Sequence, residues 1–442
     1  MKNLSKFQLI LTGVFVLLGM VGLILAATVR VGDHTIGNEV TMWGSLDSEE
    51  WSKLQKKIEN KIGAKNFKIK YVRKLPETFD AELIDALATG NGPDLFILSQ
   101  NKILRMKNKI YAIPYDYYSA RKFRDTFIEE GELYLAKDGI LGFPFQVDPL
   151  VLYWNRDIFS SVGIAVPPKF WDEFFELAQK ITRRESDGDI VRSAIALGEF
   201  DNVSHAKDIL SALILQSGSP IVETSPTEYR SALAPLGSGE TSVTATAVRF
   251  YAEFANPVKT TYTWNRALPV SRDAFIGGDV AMYIGYAGEL AELQKKNPNL
   301  NFDVSSLPQV RDQDRERTFG RMEGIAIAQA SKLASDAFAA ATLLTDFQAL
   351  TYWHETSILP PVRRDMLVSP PNDAFKAVFY DGALIAGAWL DPDSKQTDEI
   401  FREMVSSVTT GRARVSDAAR RANLSLSQIL AQFKPNSIEE EQ

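Results

Sequence analysis

The chain of 442 residues contains no cysteine and only three histidines. Without thiols it has no disulfide, no thiolate nucleophile, no cysteine metal site and no lipid attachment through a cysteine. His34, His205 and His354 are scattered, and none stands in metal-ligand spacing. The phosphate-cradling glycine loop, the GxGxxG turn, the GxSxG elbow and the HExxH pair are all missing from the sequence. Neither a catalytic set nor a cofactor or metal is therefore expected. There is no long basic block either, and the net charge is −7, which argues against nucleic acid as the partner. SDGD at 186–189 lacks the remainder of a calcium loop and reads as a turn. The paired acids Glu49–Glu50 and Glu129–Glu130 read as solvated helix ends. No repeat of roughly 20 to 50 residues is visible.

One long apolar run is present. From Leu9 to Val29 no charge occurs, about the ~20 residues that a bilayer crossing requires. Lys2 and Lys6 precede it, so an anchor here places the N-terminus inside and the bulk of the protein outside. Ile24 and Leu25 stand before Ala26 and Ala27, which makes a poor cleavage site. We therefore expect a signal anchor within residues 1–30, with a cleaved signal peptide as the alternative. Residues 31–39 read as a tether.

The length of the remainder implies two domains. VTMWGS is a strand candidate, and DSEEWSKLQKKIENKIG follows with Trp51, Leu54, Ile58 and Ile62 at helical spacing. NFKIKYV alternates as a strand, ETFDAELIDALATG is a second helix, and PDLFILS is an apolar strand. That alternation implies a parallel sheet with right-handed crossovers, whose ligands lie beyond the carboxyl ends of the strands. From Pro168 the pattern restarts. The stretch 224–242 reads as loop, and residues 332–355 as one long helix. In FPFQVDPLVLYWN (143–155) a lone acid, Asp148, sits in an apolar run that Pro149 is expected to break in two.

Trp43, Ser45, Ser99, Asp148, Tyr153, Trp154, Trp264, Tyr286 and Trp389 all fall at or near expected strand ends or loops. Aromatic faces suit the C–H faces of sugars, and carboxylates pair with hydroxyls. Core packing is the competing account of each aromatic, and Trp51, Trp171 and Trp353 are assigned to the core. An enzyme acting on extracellular polysaccharide stays open, because the two carboxylates of a glycosidase are recognised by their separation in space.

LATGNGPDLFILS, the block from GFPFQVDPLVLYWNRDIF to ELAQKIT, AFIGGDVAMYIG, GIAIAQAS and GRARVSDAARRA occur in that order between Val40 and Ala431. Together they resemble the sugar-type solute-binding proteins of ABC transporters, the group of maltose-binding protein. The resemblance implies a two-lobe α/β periplasmic-binding-protein fold. Two parallel or mixed sheets flanked by helices would be joined by a hinge of crossing strands. Crossings are expected near 145–150, 316–320 and 355–360. The first lobe would hold 40–147 plus 318–357 and the second 148–317 plus 358–434, with a tail over 435–442.

The resemblance nominates Ser99, Gln100, Asn101, Asp148, Tyr286, Arg321, Glu323 and Trp389 as ligand-facing, and Trp43 and Ser45 join them from the strand-end reading. It also implies a monomer that takes a saccharide to ABC permease subunits at the extracytoplasmic face of the membrane. A sensor or adhesion module on the same fold is the further alternative. Two departures stand out. The lipoprotein cysteine is absent, and Gly288 occupies the place of the family's sugar-stacking tryptophan.

Overall fold

The computed structural model describes residues 39–61, 68–235, 237 and 239–435. The expected anchor over 9–29 and all but the last residue of the tether lie outside them. Among the described residues no helix is long and apolar enough to cross a membrane.

The first half begins as expected. Strand β1 (Val40–Gly44) buries Val40 and Met42 on one face, and the Asp47 carboxylate then accepts the backbone N–H of Glu49 at 2.8 Å where helix α1 (Ser48–Lys61) starts. Those amides hold Asp47 below the usual carboxylate range. Strand β2 (Ile69–Arg73) follows. Helix α2 (Pro76–Ala88) has its proline in the first turn, where the missing N–H costs nothing, and buries Phe79, Leu83 and Leu87 at four-residue spacing. Each such burial contributes about 1.5–3 kcal/mol. Strand β3 (Leu95–Ser99) is apolar on both faces because it is covered on both. β1 pairs in parallel with β2 and β3.

β4 (Phe143–Asn155), β5 (Ile190–Ile195), β6 (Val280–Tyr286), β7 (Phe302–Ser306) and β8 (Thr318–Ile327) complete the framework. Two separate sheets were expected. Instead the hydrogen-bonded path runs unbroken as β2-β1-β3-β8-β4-β6-β5, with β7 also on β4. The reason is the length of β4, which pairs antiparallel with β8 from Phe143 to Pro149 and with β6 and β7 from Leu150 to Asn155.

Pro149 does not break the run. It stands where β4 changes partners, so its missing N–H falls where the β8 ladder ends and the β6 ladder begins. The long helix expected over 332–355 is two helices, α4 (Ala334–Leu344) and α5 (Phe347–His354), parted where Asp346 caps the amide of Ala349 at 2.7 Å. The stretch 224–242 begins with the far end of a short antiparallel hairpin, Val222–Thr224 with Tyr229–Ser231.

The apolar side chains gather in two large clusters. One is drawn mainly from residues 40–147 and 322–367, and the other from Leu150 onward through β5, β6 and the C-terminal helices. They form two lobes, with β4 and β8 running from one to the other. Trp264, Tyr153 and Trp154, considered above as possible ligand contacts, are buried in the second lobe.

Candidate functional site

A cavity of about 400 Å³ lies beyond the carboxyl ends of β3 and β5, against the middle of β8. Asn101, Phe200, His205, Asp208, Arg321 and Trp389 are among its walls. A larger hollow of about 1090 Å³ is lined by Glu129, Glu130, Tyr229 and Arg317. Alternation along β8 sends Arg321 and Glu323 to one face and Gly320 and Met322 to the other. Glu130 packs against Gly320, so this larger hollow is across the ladder from Arg321. Strand-end loops converge on the smaller one, which is where open α/β sheets hold ligands.

Helix α3 (Ala206–Gln216) starts at the cavity, and its N-cap His205 has a left-handed backbone (φ 61°, ψ 25°). One turn in, Asp208 accepts from the Tyr286 hydroxyl at 2.7 Å and from Arg321 Nη2 at 2.8 Å. The Arg321 guanidinium carbon lies over the Tyr286 ring, 3.8 Å from its centroid. His205 bridges to both sides, with Nε2 2.6 Å from Glu289 Oε1 and Nδ1 3.3 Å from Arg321 Nη2. Burial alone raises the Glu289 carboxyl. Contacts with His205, the Tyr283 hydroxyl and the Tyr286 amide outweigh that and hold it below the usual range.

Asp148 projects from β4 onto the turn after β6, where one oxygen accepts the Gly288 N–H at 2.9 Å. Burial pushes Asp148 up to about 7, against the lowering effects of that amide and of Arg321. Gly288 allows the approach, since a Cβ there would lie 2.8 Å from the other carboxylate oxygen. The small residue there therefore lets an acid seat itself on the backbone.

The remaining nominated residues divide. Glu323 accepts from Gln146 Nε2 at 2.7 Å, and burial raises it. Ser99 and Asn101 are half-buried at the end of β3. Trp389 lies in the cavity wall with its indole N–H on Ser211 Oγ at 3.2 Å. Gln100 is buried; its amide donates to Gly320 O at 2.9 Å and accepts from Met322 N, so it straps β3 to β8. Tyr286 is fully buried and acts from behind, as the platform under Arg321. Trp43 is covered by the Lys74 ammonium, 3.8 Å from its ring centroid, and Ser45 is half-buried beside it in the chain. None of these is among the cavity's walls except Gln100, Asn101, Arg321 and Trp389.

Sequence reasoning missed His205, Asp208 and Glu289. Neither acid stands out in the sequence, and His205 is there only one of three scattered histidines. The nearest sequence signal was the histidine immediately before the helix AKDILSALILQ. Nor is Glu130 a solvated helix end, because the β4–β8 ladder covers it and leaves it 2% exposed.

Residues 53–377 match the model of a family described as bacterial extracellular solute-binding protein. The chain belongs to that family. A Brucella abortus protein named as a binding protein is 31% identical over 101 residues, 23% of this chain and 25% of that protein. The matched segment thus takes in about a quarter of that relative's length. The sn-glycerol-3-phosphate-binding periplasmic protein UgpB of Agrobacterium fabrum is 47% identical over 62 residues, 13% of this chain and 14% of that one. The cyclic alpha-maltosyl-1,6-maltose binding protein from Arthrobacter globiformis has the same fold, with a TM-score of 0.73 at 14% identity over 89% of this chain and 99% of that one. By its family it is an extracellular solute-binding protein.

Proposed function

We propose that this solute-binding protein captures a small saccharide in the cavity beneath Arg321 and presents it to an ABC permease. The observation that carries the reading is the guanidinium itself. One nitrogen of Arg321 is held by Asp208 and His205, its face is held by Tyr286, and about half the side chain stays exposed at the cavity. Its remaining N–H groups suit two adjacent hydroxyls. Asn101 supplies an amide and Trp389 an aromatic wall; Asp148, Glu323, Ser99, Ser45 and Trp43 stand outside the walls and would join the solute's contacts on closure. A cavity of about 400 Å³ is at the small end of ligand sites, which run from ~300 to ~1,000 Å³, so a mono- or disaccharide is the size class.

Lobes divided at 147/148, 317/318 and 357/358 would close over the solute as a hinge. The run 9–29 would tether the receptor, which would act as a monomer. A second reading is a polyol phosphate. The UgpB relative motivates it, and the amino end of α3 beside a cationic Arg321 favours an oxyanion.

The test is thermal unfolding of the purified full-length chain with a panel of mono- and disaccharides and sn-glycerol 3-phosphate. A true solute raises the melting temperature by mass action, by about 2.7 kcal/mol of stability at 100 times Kd. Asp148→Asn keeps an acceptor for Gly288 and should lower affinity while leaving the ligand-free melting temperature within about two degrees at pH 7. No shift with any compound refutes capture of these solutes; a shift with glycerol phosphate alone selects the second reading.

A further inference from the structure

His205 sits between an acid and a base, and its two ring nitrogens make different contacts. Glu289 is a carboxylate that already accepts from the Tyr283 hydroxyl at 2.6 Å and the Tyr286 amide at 3.0 Å, so it can take only another donor from His205 Nε2. Arg321 has no lone pair to offer, so the contact between its Nη2 and His205 Nδ1 is a hydrogen bond only if Nδ1 is unprotonated. Both demands are met by one state, the neutral imidazole with its proton on Nε2.

We propose that His205 is a positioning residue for the solute site. Its Nδ1 lone pair, set by donation from Nε2 to Glu289, turns the Arg321 guanidinium so that its unengaged edge faces the cavity and takes two adjacent ligand oxygens. This rests on the reading of the cavity as the solute site.

Three observations support it. Nη2 of Arg321 carries both of that side chain's protein hydrogen bonds, to Asp208 and His205, whereas Nε and Nη1 make none among the described residues. The guanidinium carbon sits 3.8 Å from the Tyr286 ring centroid, a contact that by itself leaves the group the freedom to turn. Two acceptors on one nitrogen remove it. His205 is also one of two non-glycine residues with positive φ among the described residues, a conformation that is retained where the surroundings demand it. The demand here is that helix α3 begin at the cavity while the ring reaches back to Glu289. The charged and titratable groups around the ring are Glu289 from the turn after β6, Tyr283 and Tyr286 from β6, Asp208 from α3, and Arg321 from β8. The ring of Tyr286 meets the imidazole edge-on at 4.8 Å.

The experiment labels histidine with nitrogen-15 in the full-length chain and reads the tautomers by long-range proton–nitrogen spectra at about pH 8, above the usual range of imidazole protonation. With three histidines, the spectrum of His205→Gly identifies the missing ring, and glycine accepts the left-handed backbone. One ring with a protonated Nε2 and a pyridine-like Nδ1, lost in His205→Gly, is expected. Calorimetric titration with maltose and with sn-glycerol 3-phosphate should then show about tenfold weaker binding by His205→Gly of whichever one wild type binds. An imidazolium, a proton on Nδ1, or unchanged affinity of His205→Gly overturns the proposal. If wild type binds neither compound, the solute reading fails for these classes, while the tautomer still decides whether His205 holds Arg321.

Discussion

Glu130 is almost wholly buried, and neither of its carboxylate oxygens has a hydrogen-bond partner among the described residues. Desolvation pushes it up to about 8, and the charge of Asp148 adds to the rise. A carboxyl whose native pKa is raised binds more protons folded than unfolded, so stability falls as pH rises from its ordinary value of 4.5 towards about 8. Glu130→Gln removes this penalty. Its melting temperature should exceed that of wild type at about pH 9 and approach it at about pH 4, with a difference of a few kcal/mol at most. Equal pH profiles for the two proteins would show that Glu130 ionises freely. Asp148, raised to about 7 by burial, adds a slope of the same sign. Both acids stood out in the sequence only as letters. Asp148 was conspicuous because its neighbours are apolar, whereas Glu130 stood beside Glu129 and looked solvated.

At the scale of elements, the crossing of β4 and β8 is tightly packed on the Glu130 side. A Cβ added at Gly320 would collide with Glu130 Oε2, and nothing in the backbone conformation of Gly320 itself demands glycine. The objection to a side chain there is purely steric. Gly320→Ala should therefore cost about 2–4 kcal/mol in denaturant unfolding, and Glu130→Ala in the same chain should recover much of it. A coupling below about 0.5 kcal/mol in that double-mutant cycle would disprove the contact. Gln100 strengthens the same crossing by bonding Gly320 O and Met322 N from the end of β3. Elements that bury one stripe or alternate cleanly, such as α1, α2 and β2, were readable because periodicity is local. The split between α4 and α5 had a local cause as well, the capping Asp346, but its sequence signal was masked by apolar residues on both sides.

At the scale of the molecule, two cores are joined by strands that change partners midway. If the cavity holds the solute, contacts from both lobes stabilise a closed state. The radius of gyration measured by small-angle scattering should fall when a melting-shifting solute is added; an unchanged radius at saturation would rule out closure by lobe movement.

The order of the first strands and helices, the absence of thiol chemistry and the family itself could all be read from the chain alone. Each of these depends on residue identity or on spacing over a few turns. The single unbroken sheet path and the passage of β4 through Pro149 could not be, nor the burial of Glu130 and the union of His205, Asp208, Glu289 and Arg321. Those depend on partners more than a hundred residues apart for Arg321 with Asp208 and His205. Only packing selects such partners, because a charged side chain carries no local mark of the opposite charge it will meet.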